Sequence, residues 1–202
     1  MQMILIRHGL PIHKANEDGT PADPPLSRLG REQARLVGEW LAGEEIERIY
    51  SSPMNRARET AEPLARLLNL EIEIEPRIQE FDADSNEYIP MEQLKRDDPE
   101  RWRAFVAGGY ASQTDFEMFV STVTGGLNEL VASNSGKRIV VFCHGGVINS
   151  WATHVLGMAP KLFLDASYAS VSRFLASSSG QHSLLSLNEV AHLRVLQQPS
   201  NS

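Results

Sequence analysis

Met3-Ile4-Leu5-Ile6-Arg7-His8-Gly9 and Ile139-Val140-Val141-Phe142-Cys143-His144-Gly145-Gly146 are two apolar runs that each stop at a histidine followed by glycine. An unbroken apolar run of strand length is what a strand covered on both faces requires. Such strands belong to an open α/β sheet, and the ends of its strands are where ligands bind. Two imidazoles and the guanidinium of Arg7 delivered to that edge could attack a phosphate and hold its oxygens.

The segments around these runs alternate between strand and helix. Ser27 can cap a helix whose Ala34, Val37, Trp40 and Leu41 share one face, with Gly43 at its end. Ile46 to Tyr50 reads as a strand. Ser51-Ser52-Pro53 predicts the next helix start, with serine as cap and proline at the first helical position. Ala57, Ala61, Leu64, Ala65 and Leu68 form that helix's buried stripe, and Leu70, Ile72 and Ile74 alternate with glutamates as in a half-exposed strand. Residues 82–113 are acidic, aromatic and irregular, with Trp102, Phe105 and Tyr110. They are too long for a plain connection and predict an inserted cap.

Thr114-Asp115-Phe116-Glu117 matches a capping box, and Phe116, Phe119, Val120, Val123, Leu127 and Leu130 keep helical spacing behind it. Segments near Ala169–Ala176 and Ser183–Leu187 predict a closing hairpin, and Gln197 to Ser202 a frayed tail. The pattern predicts one domain over residues 1–202, a three-layer α/β/α sandwich with a mostly parallel central sheet and an inserted cap region.

A net charge of −7 over 202 residues makes nucleic acid or an anionic membrane a poor partner. Cys143 is the only cysteine, so no internal disulfide can form and a reducing, cytoplasmic setting is expected. Beside Phe142 it reads as a small buried hydrophobe. Neither a signal peptide nor a membrane span is expected. Nothing in the sequence indicates an oligomeric state.

For the chemistry, neutral imidazole is a nucleophile near neutral pH, and an adjacent arginine can fork two phosphate oxygens. Gly9 would let backbone approach the anion. A structural role for His8 alone would be the competing reading. Arg56 falls in the first turn of its helix, where the dipole favours an anion and mildly disfavours arginine, so a bound phosphate would account for it. The plainer alternative is a solvated pair with Glu59 or Glu62. Arg58 points away round the helix and reads as surface. His144 could donate to a phosphate oxygen or be a satisfied core histidine. His13 could line the site mouth, whereas His154, His182 and His192 read as structural or surface. No HExxH pair or cysteine–histidine spacing supports a metal.

With these residues in place, the chain resembles the histidine phosphatase, or phosphoglycerate mutase-like, superfamily. Leu5 to Gly9 is similar to its signature, and Pro25-Leu26-Ser27-Arg28-Leu29-Gly30-Arg31-Glu32-Gln33-Ala34 to the stretch that follows. Ser51 to Ala61, Val141 to Ile148 and Asn188 to Leu193 resemble its later segments. The resemblance implies that His8 becomes phosphorylated, that Arg7, Arg56 and His144 bind the substrate phosphate, and that Glu80, in Arg77-Ile78-Gln79-Glu80, is the proton donor. Asp82, Asp84 and Glu87 are the neighbouring alternatives for that acid. It also implies that arginines meet the phosphate charge without a cofactor.

Two departures weigh against the mutase branch: Phe81-Asp82-Ala83-Asp84 replaces its glycine, tryptophan, glutamate, glycine stretch, and Lys14 stands where it has asparagine. The expectation is a metal-independent phosphomonoesterase for a small phosphorylated metabolite. A mutase-like phosphotransferase, a protein phosphohistidine phosphatase and a non-catalytic phosphate-binding protein are the alternatives.

Overall fold

In the computed structural model, which describes residues 1–106 and 113–196, both histidine-tipped runs are central strands. The elements follow in the order β1 (Gln2–Arg7), β2 (Lys14–Ala15), α1 (Arg28–Leu41), β3 (Arg48–Ser51), α2 (Asn55–Leu68), β4 (Ile72–Ile74), a 3-10 turn (Pro76–Ile78) and β5 (Glu87–Tyr88). Then come α3 (Met91–Asp97), α4 (Pro99–Val106), α5 (Gln113–Ser133), β6 (Arg138–Cys143), α6 (Gly145–Leu156), β7 (Val171–Ala176), β8 (His182–Glu189) and a 3-10 segment (Ala191–Leu196).

Among the described residues, the main sheet has six strands in the order β4-β3-β6-β1-β7-β8. The first four run parallel and the β7–β8 hairpin closes one edge antiparallel. This is a mixed α/β sandwich. Alternate side chains of β1 and β6 enter two different cores, which is why both strands are apolar throughout. Met3, Leu5, Ile139, Val141 and Cys143 pack with α5 and α6 through Val123, Leu127, Val147, Ile148 and Trp151. Ile4, Ile6, Val140 and Phe142 face α1 and α2 through Val37, Leu41, Ala61 and Leu64. Each such fully buried aliphatic side chain contributes roughly 1.5–3 kcal/mol.

The helix ends show how local sequence sets the site. Ser27 caps α1, its Oγ accepting from Gly30 N–H at 3.0 Å while donating to the Leu10 carbonyl at 2.8 Å. Gln33, one turn further along, accepts from Leu10 N–H at 2.8 Å. The Pro25–Ala34 segment therefore fastens the loop after His8 to the first turns of α1.

Four expectations need correction. Helix α2 starts at Asn55, with Pro53 outside it and no serine cap. Its Asn55 N–H is taken by the Asp23 carboxylate at 3.0 and 3.1 Å, a cap from a distant loop. Trp40 is 47% exposed at the edge of the α1 stripe, its ring 5.7 Å from that of His192. Helix α5 begins at Gln113, so Thr114 lies inside the helix rather than before it. Residues 91–106 are two short helices rather than irregular chain; Asp98 Oδ1 accepts from Arg101 N–H at 3.0 Å and Pro99 opens α4. Tyr110 and the 197–202 tail lie outside the described residues. No helix among the described residues is long and apolar enough to cross a membrane.

Candidate active site

The register of β1 on β6 pairs Arg7 with Cys143, so the next residue of each strand is a histidine beside a histidine. His8 N–H donates to the Cys143 carbonyl at 3.0 Å, and the His8 and His144 ring centroids are 5.1 Å apart. His8 Nδ1 lies 2.8 Å from the Gly9 carbonyl, which can only accept. The proton of the neutral ring is therefore on Nδ1 and the lone pair on Nε2. Burial first, then the positive charges of Arg56 and Arg7, push the His8 pKa well below its ordinary value. Gly9 sets the backbone here: a β-carbon on it would meet the Gly30 carbonyl oxygen at 2.5 Å. Its N–H donates to Thr60 Oγ1 at 2.9 Å, and that hydroxyl donates to the Arg56 carbonyl at 2.6 Å.

Arg56 projects from the first turn of α2 with no exposed surface. Its Nη2 donates to Asp82 Oδ1 at 2.6 Å. Nε and Nη1 are buried without a hydrogen-bond partner among the described residues, and so is His144 Nδ1. His144 Nε2 sits 2.8 Å from Ser52 Oγ, which accepts from Met54 N–H at 3.3 Å. Ser52 can give its proton to Nε2, and in that tautomer the His144 ring proton is on Nδ1. Burial, followed by the charge of Arg56, holds His144 neutral, its pKa well below the usual value. Arg7 Nη1 donates to the Ala166 carbonyl.

Two tyrosines close the pocket. The Arg7 guanidinium lies 3.9 Å over the Tyr168 ring and that of Arg56 lies 4.6 Å over Tyr88. The two phenol oxygens are 3.3 Å apart, and His8 is 2% exposed.

Glu80 follows the 3-10 turn after β4 and reaches the start of α6. Its carboxyl accepts from Gly146 N–H at 2.8 Å and Phe81 N–H at 3.0 Å. This contact needs glycine, since a β-carbon on Gly146 would sit 2.2 Å from Glu80 Oε1. Burial and then the Asp82 charge raise the Glu80 pKa above the usual carboxyl value, against the two N–H groups and Arg56, which lower it. A raised carboxyl beside two imidazoles and two guanidiniums is an arrangement suited to phosphoryl transfer with acid assistance.

Arg7, His8, Arg56, Glu80 and His144 therefore cluster at the ends of β1 and β6. Arg58 and Asp84 are exposed. Asn16 bonds Thr20 and Pro21 in its own loop, and His13 pairs with Glu87 at 3.6 Å. Trp102 packs under Lys95, 4.9 Å from its ammonium. Sequence reading missed Ser52, Thr60 and Tyr168 as neighbours of the site. Thr60 had a signal, being one helical turn after Arg56; Tyr168 had none, because its place depends on the fold of the chain between α6 and β7.

Residues 3–189 match the sequence profile of the histidine phosphatase superfamily (branch 1). Phosphoserine phosphatase 1 of Hydrogenobacter thermophilus is 27% identical over 209 residues, covering 96% of this chain and 94% of that protein. A probable phosphoglycerate mutase GpmB of Photorhabdus laumondii is 34% identical over 110 residues, 54% of this chain and 51% of its own length. Among solved structures, phosphoserine phosphatase from Entamoeba histolytica in complex with 3-phosphoglyceric acid superposes with a TM-score of 0.73 at 25% identity, covering 95% of this chain and 98% of that one. With the family profile spanning almost its whole length, the chain belongs to the histidine phosphatase superfamily, branch 1.

Proposed function

We propose that this protein is a phosphomonoesterase that works through a phosphohistidine on His8, acting on a small phosphorylated metabolite. The observation that carries the reading is the Nδ1 contact of His8 with Gly9, which leaves Nε2 as the unprotonated nitrogen, near the unpartnered nitrogens of Arg56 and His144. In the first step Nε2 forms a bond to phosphorus as the bond to the ester oxygen breaks, and Glu80 gives its proton to the departing alkoxide. In the second, Glu80 as carboxylate takes a proton from water as that water attacks phosphorus, and the phosphorus–nitrogen bond breaks. Arg7, Arg56 and the Nδ1–H of His144 meet the charge on the transferring group.

The cap expected over residues 82–113 is supported, within its described part, by Tyr88, which lies against Arg56 and beside His8. A single cysteine, Cys143, which can form no internal disulfide, fits a reducing, cytoplasmic setting. Similarity to proteins named as mutases keeps one second reading, in which phosphohistidine returns its phosphoryl group to a sugar acid rather than to water.

The test is phosphate release by purified protein from a panel of phosphorylated metabolites and an aryl phosphate, with and without a chelator. Wild type should release phosphate in both conditions and His8→Ala should not. Phosphate release surviving in His8→Ala would overturn the reading, and isomerisation of a phosphoglycerate without release would favour the second one.

A further inference from the structure

In sequence Asp82 is an alternative to Glu80 as the acid; in the structure it is the partner of Arg56, the most buried charge among the described residues. Its Oδ1 accepts from Arg56 Nη2 at 2.6 Å, and its own side chain is 32% exposed, on the solvent side of the wholly buried guanidinium. Arg56 sits in the first turn of α2, where the helix dipole opposes a cation, so an opposite charge is needed to hold it there. Only one of the three guanidinium nitrogens is used. Nε and Nη1 are buried and without hydrogen-bond partners among the described residues. The Asp82 backbone is fixed as well: Ala83 N–H donates to the Glu80 carbonyl at 3.1 Å and Ser85 N–H to the Asp82 carbonyl at 2.9 Å. One tight turn therefore carries both carboxyl groups.

Resting on the phosphatase reading above, we propose that Asp82 is a positioning residue that stays on Arg56 through turnover and aims the remaining N–H groups of the guanidinium at the transferring phosphoryl group. The rival use of the same contact is a counterion that the substrate phosphate displaces. Geometry favours the first, because Nη2 carries a second N–H beside the one that Asp82 takes, so a phosphate can fork the guanidinium through that N–H and one neighbouring nitrogen without displacing the carboxylate. It also places Arg56 and Glu80 at a fixed separation, since both are tied to the 80–85 turn. A phosphoryl group gripped by Arg56 is thereby set against the acid. The like charge of Asp82 adds to burial in raising the Glu80 pKa.

The experiment is a double-mutant cycle read as kcat and KM on the best substrate, with orthophosphate inhibition measured in parallel. Asp82→Asn should lower kcat about 10- to 100-fold, the scale of a misplaced catalytic group, with orthophosphate inhibition held or tightened by the added positive charge. Asp82→Glu should recover part of that loss. In an Arg56→Lys background, whose single ammonium cannot be both held and forked, Asp82→Asn should cost less than about threefold, because the two residues act through one interaction. A kcat for Asp82→Asn within about threefold of wild type would overturn the proposal and favour a displaced counterion. Equal losses in both backgrounds would overturn it too, marking Asp82 as a fold residue. Wild type in the same assay separates the two readings: no turnover there sinks the phosphatase reading, whereas turnover with an unaffected Asp82→Asn sinks only this one.

Discussion

At the scale of single residues, the site is held by contacts that leave little room for substitution. Gly146 is the sharpest case, since any β-carbon there would overlap the Glu80 carboxyl at 2.2 Å. Gly146→Ala should displace the acid while leaving His8 untouched. Its kcat on an alkyl phosphate, whose leaving group needs a proton, should fall by about 100-fold, within the range of general acid catalysis, and far less on a nitrophenyl phosphate. Equal losses on both esters would mean that Glu80 is structural.

The directions of the pKa shifts give the sign of the pH dependence. In the proposed mechanism His8 acts neutral and its pKa lies well below 6.5, so the acid limb of kcat/KM should fall below that value. Glu80 acts there as a proton donor and its pKa lies above 4.5, so activity on alkyl esters should decline as pH rises through the Glu80 pKa. Glu80→Gln should remove that alkaline decline along with most of the rate. Persistence of the same limb in Glu80→Gln would assign it to another group. Arg7, His8 and His144 stand at strand ends that the sequence itself marks, whereas Arg56 stands at a helix start that the sequence marks only approximately. Glu80 was legible only through resemblance, for its role depends on a contact with Gly146, 66 positions away.

At the scale of elements, capping decides where the catalytic loops sit. Ser27 caps α1 and also holds the Leu10 carbonyl in the loop after His8. Ser27→Ala should cost about 1 kcal/mol, which for a chain of this size lowers Tm by roughly 2–4 °C. Calorimetry or a dye-based melt reads this directly, and an unchanged Tm would contradict the cap. The start of α1 was readable because its cap is local. The start of α2 was not, because Asp23 supplies the cap from another loop while Ser52, the local candidate, is engaged by His144. In residues 82–106 the acidic composition hid a local signal: Asp98-Pro99 is a helix start, and it was passed over.

At the scale of the whole molecule, the two apolar runs specify the architecture because each strand must satisfy two cores at once. Alternate residues of β1 and β6 divide between the α5–α6 and α1–α2 layers. That requirement made the parallel centre of the sheet and the closing hairpin legible from periodicity. The tyrosine closure was not, since Tyr88 and Tyr168 come from segments 80 positions apart that no local pattern links. The sandwich sets β1 beside β6 in register, so that the His8 and His144 imidazoles end side by side.

The central claim is that His8 takes the phosphoryl group. Rapid acid-free quenching during turnover of a labelled phosphate ester, followed by peptide mapping, tests it most directly. The account predicts a base-stable, acid-labile phosphoryl group on His8 of wild type, absent from His8→Ala. Label on Cys143 or a serine, or no label during rapid turnover, would contradict it.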